Sequence, residues 1–359
     1  MSYIGKTPTS VPLTSSDITD GIITTTKIAD ANVTNPKLTS GSQQNFRNII
    51  INGDMSIAQR STSTSSANTQ AYHCTDRWFN VGMTIGTWTI SQSTDVPTGQ
   101  GFAKSLKYDC TTAEASPGAG DQLHLSQRIE GQNLQYLKKG TANAESLTLS
   151  FWVKTNKTGT YQVNLRDKDN TRIIGQTYTV SLADTWEKKT ITYAGDTTGA
   201  LGNDNGDSLE CEWFLGAGTN YTSGSVPTSW EAESATDRAA GLTVNLGDST
   251  DNEWYITGVQ LEAGTTASDF EFLPYDVNLR RCMRYCQVLV NGDVNNYSCM
   301  GFSQSANLAN LLFPFYVEPR VPATGLIAQN VNGFGATTVA SGGAGSSATF
   351  GQSSKYAVY

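Results

Sequence analysis

The sequence predicts an all-β sandwich, and three observations carry that reading. Thr, Ser, Gly, Asn and Asp dominate the chain, short runs alternating polar and apolar residues recur between clusters of turn formers, and helical periodicity is rare. With 359 residues and 38 % hydrophobic side chains, the chain has length for two or three domains and apolar mass for at least one sizeable core.

Residues 1–45 stand apart. Leu13, Ile18, Ile23, Ile28, Val33 and Leu38 fall at a strict interval of five, inside a ten-residue repeat that copies Asp20, Thr24 and Lys27 onto Asp30, Thr34 and Lys37. A step of five rotates a side chain by roughly 500° on an α-helix and alternates faces in a strand, so neither element buries the set within one chain. Several copies winding together, with the aliphatics on a shared axis, would bury it. The expectation is an intertwined oligomeric stem. A disordered Thr-rich leader, with Pro8, Pro12 and Pro36, is the alternative.

Residues 46–275 hold the sandwich. Ser146 to Val153, Thr160 to Leu165 and Thr190 to Tyr193 each alternate polar and apolar residues and read as half-buried strands. Asn156 to Gly159 and Asp167 to Asn170 supply turns between them, and Asp251 to Glu262 reads as a turn followed by the last strand. Residues 276–359 form a smaller, loop-rich β tip. Its one helical candidate runs from Asp276 to Val290, where Val277, Leu279, Met283, Cys286 and Val290 give partial three-to-four spacing for two to four turns. Beyond Pro314, Pro319 and Pro322, the stretch from Gly333 to Gly351 is crowded with Gly, Ser, Ala and Thr.

A net charge of −8, with Lys and Arg scattered singly, offers no basic stripe to a phosphate backbone or an anionic membrane. No apolar run approaches the ~20 residues of a membrane helix, and the start MSYIGKTPTS has no signal-peptide pattern. A soluble chain with no nucleic-acid or membrane partner is expected. Cys74, Cys110, Cys211, Cys282, Cys286 and Cys299 are dispersed, which predicts free, mostly buried thiols and no zinc site.

Catalysis has few candidates. His73 and His124 are the only histidines, each in a polar β context, and the usual nucleophile and metal-hydrolase motifs are missing. Glycoside hydrolysis needs only two carboxylates, and Glu130, Asp204, Asp207, Glu210, Glu212 and Glu262 are available. Glu210 and Glu212, straddling Cys211, read instead as the solvated side of a strand facing away from Trp213. No enzyme is expected. Sugar binding asks for exposed rings flanked by amides and carboxylates. Tyr221 and Trp230 in the loop from Gly216 to Ala240, and Trp88 in Gly86 to Thr89, fit by context, whereas Trp78, Trp152 and Trp254 read as core.

Asn48 to Met55, Leu149 to Lys154 and Trp254 to Glu262, in that order and spacing, resemble the β-jelly-roll carbohydrate-binding modules. Asp76-Arg77-Trp78, Gln127 to Gly131, Gly258 to Glu262 and Cys282 to Tyr285, together with the leader repeat, resemble a group of bacteriophage tail-fibre and virion-associated proteins. The likeness covers about residues 12 to 325. It implies a virion fibre, assembled as a homotrimer in the host cytoplasm, that docks on tail or capsid proteins through its N-terminus and binds a host-surface glycan. An inert adaptor or capsid fibre, and a glycan depolymerase, are the alternatives. Only about 45 residues precede the sandwich, less than the anchoring domain such fibres commonly carry, which leaves the place in the particle open. No cofactor is implied beyond a structural calcium, which in modules of this kind lies near the first and last strands and here would draw on Asp54 and Glu262.

Overall fold

The computed structural model describes residues 46–81, 84–288, 300–305, 308–322, 335–338, 341–344 and 357–358. The repeat positions Leu13, Ile18, Ile23, Ile28, Val33 and Leu38 lie outside the described residues. Twelve strands build the sandwich: β1 (Ser63–Ala67), β2 (Phe79–Val81), β3 (Thr87–Ser93), β4 (Ser105–Thr112), β5 (Gln122–Glu130), β6 (Leu147–Thr155), β7 (Gly159–Asp167), β8 (Arg172–Val180), β9 (Glu187–Tyr193), β10 (Asp207–Ala217), β11 (Glu231–Ala232) and β12 (Glu253–Ala263). They form two six-stranded antiparallel sheets, ordered β1-β3-β4-β12-β6-β9 (sheet A) and β11-β8-β7-β10-β5-β2 (sheet B).

The strand order defines the fold. Eight strands pair as β4 with β12, β5 with β10, β6 with β9 and β7 with β8, which is one antiparallel ribbon rolled around a core, the jelly-roll. Strands β1, β2, β3 and β11 extend its edges. Alternation puts one face of each strand inward. Trp78, Trp88, Trp213, Trp254, Tyr108, Tyr161, Tyr193 and Phe151 are fully buried between the sheets, in edge-to-face contacts such as Trp78 with Trp213 at 5.6 Å and Tyr108 with Trp254 at 5.7 Å. Trp152 departs from the expected core position. Phe151 and Val153 point inward, so parity sends the intervening indole to the outer face, where it is half-buried.

Asn48 to Met55, the entry strand of the resemblance, run outside any named strand through bends and a turn, with Asn52 and Met55 at positive φ, and are pinned by side chains. Asn48 bridges to the Val259 carbonyl (3.1 Å) and the Leu261 amide (3.1 Å), while the Gln127 amide group clasps both backbone groups of Ile51 (2.7 and 2.9 Å). Two glycines are required here. A Cβ on Gly53 would lie 2.0 Å from the Val259 carbonyl oxygen, and Gly258, at φ +60°, leaves room for the Phe102 ring where β12 bulges.

Three of the motifs that carried the fibre resemblance, at Asp76 to Trp78, Gln127 to Gly131 and Cys282 to Tyr285, converge on one fastening. Glu130, 3 % exposed at the end of β5, accepts from Arg284 Nε (2.9 Å), Arg284 Nη2 (2.8 Å), Gln132 (2.6 Å) and the Tyr285 hydroxyl. The Arg77 guanidinium lies 3.4 Å from the Tyr285 ring centroid and donates to the Arg128 carbonyl. Asn52 joins this cluster to the Asp76 backbone (2.9 Å), and Trp78 Nε1 donates to the Asn52 carbonyl (2.9 Å). These contacts hold a helix at Tyr275–Met283, shorter than the expected run to Val290, against the sandwich. Backbone strands at Met300–Ser305 and Leu308–Pro314 pair beyond it. Among the described residues all cysteines are free: Cys74, Cys110, Cys211 and Cys282 are buried and Cys286 is half-buried.

Candidate glycan-binding surface

The three ring candidates separate. Trp88 is buried in the core, with Nε1 donating to the Ile85 carbonyl (2.8 Å) and its ring edge-on to Tyr108, so it is removed from the candidates. Tyr221, in the short helical turn Thr219–Thr222, is half-buried 6.3 Å from the Phe214 ring and belongs to a covering loop. Trp230 is half-buried against the core, with Nε1 donating to the Ala194 carbonyl (2.8 Å) and Lys139 Nζ 5.3 Å from its ring. The recess beside it, about 20 Å³, has room for one water molecule and none for a pyranose.

Asp54 and Glu262 do not fit calcium. Glu262 accepts from Gln260 (2.9 Å), the Ser268 amide (2.9 Å) and the Ser268 hydroxyl (2.6 Å), and Arg47 lies 3.7 Å away. Asp54 accepts from Ser56 and Asn278, both at 3.1 Å. Donors occupy both Glu262 oxygens and Asp54 Oδ1, and among the described residues no cluster of three His, Cys, Asp or Glu could hold a metal.

The outer face of sheet B is sealed. Glu210 and Glu212, expected in solvent, are 2 % and 0 % exposed, because residues 218–243 fold across the strand face opposite Trp213. Asn164 donates to the Arg238 carbonyl (2.8 Å), Gln162 to the Asp237 carbonyl (2.8 Å), and the Gly241 amide to Gln162 (2.7 Å). Arg238 grips Glu212 through Nε (3.1 Å) and Nη2 (2.6 Å), and Arg166 Nη1 lies 2.8 Å from Glu210 and 3.5 Å from Glu212. Burial pushes the Glu212 carboxyl up, but the Arg238 charge and hydrogen bonds outweigh it and hold the group ionised. His124, 1 % exposed and stacked on Phe214 at 4.6 Å, is pulled down to about 3 by burial, which overrides Glu212 3.7 Å away. His124 is therefore neutral at pH 7.

Part of the outer face of sheet A is covered, with Thr148, Ser150, Gln260 and Glu262 buried, and the remaining part carries the half-buried rings of Trp152 and Trp186 beside the buried Tyr255. Across one row of the ladder stand Lys107 on β4, Tyr255 on β12 and Lys154 on β6, with Trp186 just before β9. The next row sets Thr257, Trp152 and Lys188 side by side, making Trp152 and Trp186 diagonal neighbours. Both indoles are half-buried. Trp186 is fixed, its Nε1 donating to Asp95 Oδ1 (2.9 Å) and its ring edge-on to Tyr255 at 6.2 Å. Asp95 reaches over from the loop after β3 and also binds Lys154. Tyr255 is covered by Lys154 Nζ (4.5 Å) and Lys107 Nζ (5.5 Å), and its hydroxyl donates to Glu253 (2.6 Å).

Charge on this face balances, with Lys107, Lys154 and Lys188 against Asp95, Asp109 and Glu253. Partial burial raises the Asp95 carboxyl, but hydrogen bonds from Lys154 and Trp186 overcome it, and Glu253 is likewise lowered by Lys107 and Tyr255 against its burial. Two carboxylates are thus ionised acceptors beside two indole rings. The arrangement can present apolar faces to the C–H side of a pyranose and acceptors to its hydroxyls. Sequence reading missed it because the Phe151-Trp152-Val153 run is apolar throughout, and only the parity of the inward Leu149, Phe151 and Val153 would have marked Trp152 as outward.

The class of protein defined by this topology is a jelly-roll β-sandwich. No family model and no curated protein matches the sequence. Among solved structures, the chain is similar to a putative sugar binding protein from Bacteroides thetaiotaomicron, at 14 % identity and a TM-score of 0.35 over 60 % of this chain and 99 % of that one. It is also similar to a structure described as a CBM4, at 14 % identity and a TM-score of 0.30 over 59 % of this chain and 97 % of that one. A third is the enzymatically active domain of bacteriophage CBA120 tailspike protein 4, at 14 % identity and a TM-score of 0.32 over 60 % of this chain and 21 % of that one. The chain thus spans about a fifth of the tailspike structure. At these scores the likenesses add nothing to the strand order.

Proposed function

We propose that this chain is a non-enzymatic attachment fibre of a bacteriophage particle, an oligomer, trimeric by the resemblance, that holds a neutral host-surface glycan on the outer face of sheet A. The observation that carries the glycan reading is the Trp152–Trp186 pair, half-buried at the surface on β6 and just before β9, with Trp186 fixed by Asp95. Rings already oriented lose little freedom on binding, and the balanced charge of the face favours an uncharged sugar chain. The five-residue period of the leader supports the stem, which would link weak faces and raise avidity without new contacts. The non-enzymatic reading is supported by the sealed carboxylates: Glu210 and Glu212 share Arg166 beneath residues 218–243 and are buried.

The test is calorimetric titration of full-length protein with purified host polysaccharide, comparing wild type with the Trp152→Ala/Trp186→Ala variant. Binding weakened at least about 10-fold, equivalent to ~1.4 kcal/mol, with no reducing ends released, is the expected outcome. Unchanged affinity in that variant rejects the sheet A surface, and release of reducing ends by wild type rejects the non-enzymatic reading.

A further inference from the structure

One lysine–carboxylate pair is sealed from solvent. The Lys139 side chain is 7 % exposed and that of Asp167, the last residue of β7, is 0 % exposed, whereas among the described residues the lysine of every other such pair is at least 14 % exposed. Lys139 lies in the connection from β5 to β6 and is held on several sides. The Gly140 amide donates to the Asp196 carbonyl (2.9 Å), and Lys139 Nζ donates to the Thr198 and Gly199 carbonyls (2.9 Å each) and to Asp167 Oδ2. A second carboxylate, Asp196, lies 3.0 Å from Nζ and is itself fixed by Arg172 Nε (2.8 Å) and Nη2 (3.1 Å). Asp167 Oδ1 accepts from the Asp169 and Asn170 amides (3.0 Å each), the arrangement that stabilises an oxyanion in acyl transfer. Leu137, Leu147, Leu209 and Trp230 line the recess that Lys139 and Asp196 close, about 20 Å³, with room for one water.

We infer that Lys139 and Asp167 condense to an intramolecular amide, a covalent cross-link from the connection before β6 in sheet A to the end of β7 in sheet B. The Lys139 ammonium passes one proton along its hydrogen bond to Asp167 Oδ2, giving a neutral amine and acid, the form that exclusion of water favours. Nζ then attacks Cγ, and the two amides on Oδ1 hold the developing charge. Burial raises the Asp196 carboxyl, but hydrogen bonds from Arg172 and Lys139 overcome it and keep the group ionised. Asp196 takes the second Nζ proton and returns it to Oδ2. The Cγ–Oδ2 bond breaks, one water leaves into the recess, and the amide nitrogen keeps the third proton. No oxidant or further reactant enters, and groups already held side by side need no further ordering.

The experiment weighs full-length wild type, Lys139→Arg and Asp196→Asn by intact-mass spectrometry after unfolding in guanidinium chloride, and maps their tryptic peptides. Wild type should be lighter than its sequence by one water, with a branched peptide joining the segments that carry Lys139 and Asp167. Lys139→Arg keeps the charge and should show the full sequence mass. Asp196→Asn should be cross-linked at least about 10-fold more slowly, since a positioned base contributes that much or more. A wild-type mass equal to the sequence leaves the pair a salt bridge and overturns the inference, as does a water loss mapped elsewhere in the chain. Wild-type rates of cross-linking in Asp196→Asn overturn the role of Asp196. The wild-type measurement decides the cross-link even where a variant fails to fold.

Discussion

The two outer faces of the sandwich begin from similar sequence and end in opposite states. On sheet B, Gln162, Asn164 and Arg166 of β7 alternate with the core residues Tyr161, Val163 and Leu165, and every one of them is buried. On sheet A, Trp152 and Lys154 of β6 alternate with Phe151 and Val153 and stay half-exposed. Alternation says only which residues leave the core. What lies over them is decided by the connections: residues 218–243 cross sheet B and supply Arg238 and three backbone partners, whereas among the described residues no comparable segment covers Trp152 and Trp186 on sheet A. The outer face is therefore sealed over β7 and β10 of sheet B and accessible around Trp152 and Trp186 of sheet A.

The contrast breaks most strongly at Glu212. Glu212→Ala removes the partner of Arg238, Asn164 and, at longer range, Arg166, leaving buried cations uncompensated, so a loss of about 3–5 kcal/mol in urea unfolding is expected. Glycan affinity of the folded variant should stay within about twofold of wild type, since sheet A is untouched. A loss under about 1 kcal/mol would show that the seal contributes little.

The sealed face also predicts acid sensitivity. His124 binds its proton near pH 3 when folded and near 6.5 when unfolded, so the unfolded chain gains protons first as pH falls. Stability should be full above about pH 6.5 and decline toward pH 3 by up to about 1.4 kcal/mol per pH unit. Glu212, whose pKa is depressed by Arg238, adds its own loss below its ordinary carboxylate range. Thermal melts of His124→Gln between pH 7 and 5 should lack the decline seen in wild type. Asp207, pushed up to about 6 by burial, works in the opposite sense over part of this interval in both proteins, so a His124→Gln melting curve parallel to wild type contradicts the buried neutral imidazole.

The smallest effect sharpens the comparison from the other side. Trp230→Ala should cost about 1–2 kcal/mol of stability, through lost packing on the core and the hydrogen bond to Ala194, and leave sugar affinity unchanged. Weakened binding in that variant, with Trp152→Ala silent, would move the sugar surface from sheet A to the recess edge.

Much of the fold was legible in local pattern. The strands around 147–153, 160–165 and 190–193, the turns between them and the last strand at Glu253–Ala263 appear where alternation and turn chemistry put them. Core tryptophans at 78 and 254 followed from the same period. The candidate site was much less legible. Trp88 sits in a polar-looking Gly-Thr-Trp-Thr context, yet its neighbours on the ladder carry it inward opposite Cys110. Glu210 and Glu212 alternate as an exposed edge would, and burial reached them only through a loop some 10 to 30 residues further along the chain.

By itself the sequence determined the fold class, the strands around 147–153, 160–165, 190–193 and 253–262, and a helix beginning near Asp276, because these depend on backbone sterics and on local periodicity. Tertiary structure decided the rest. Whether a polar strand face is sealed or open, whether an indole packs or presents itself, and whether conspicuous motifs such as Gln127 to Gly131 and Cys282 to Tyr285 bind a ligand or fasten a helix all depend on partners distant in the chain. A hydrogen bond such as Arg284 to Glu130 spans more than 150 residues, and no local period encodes it.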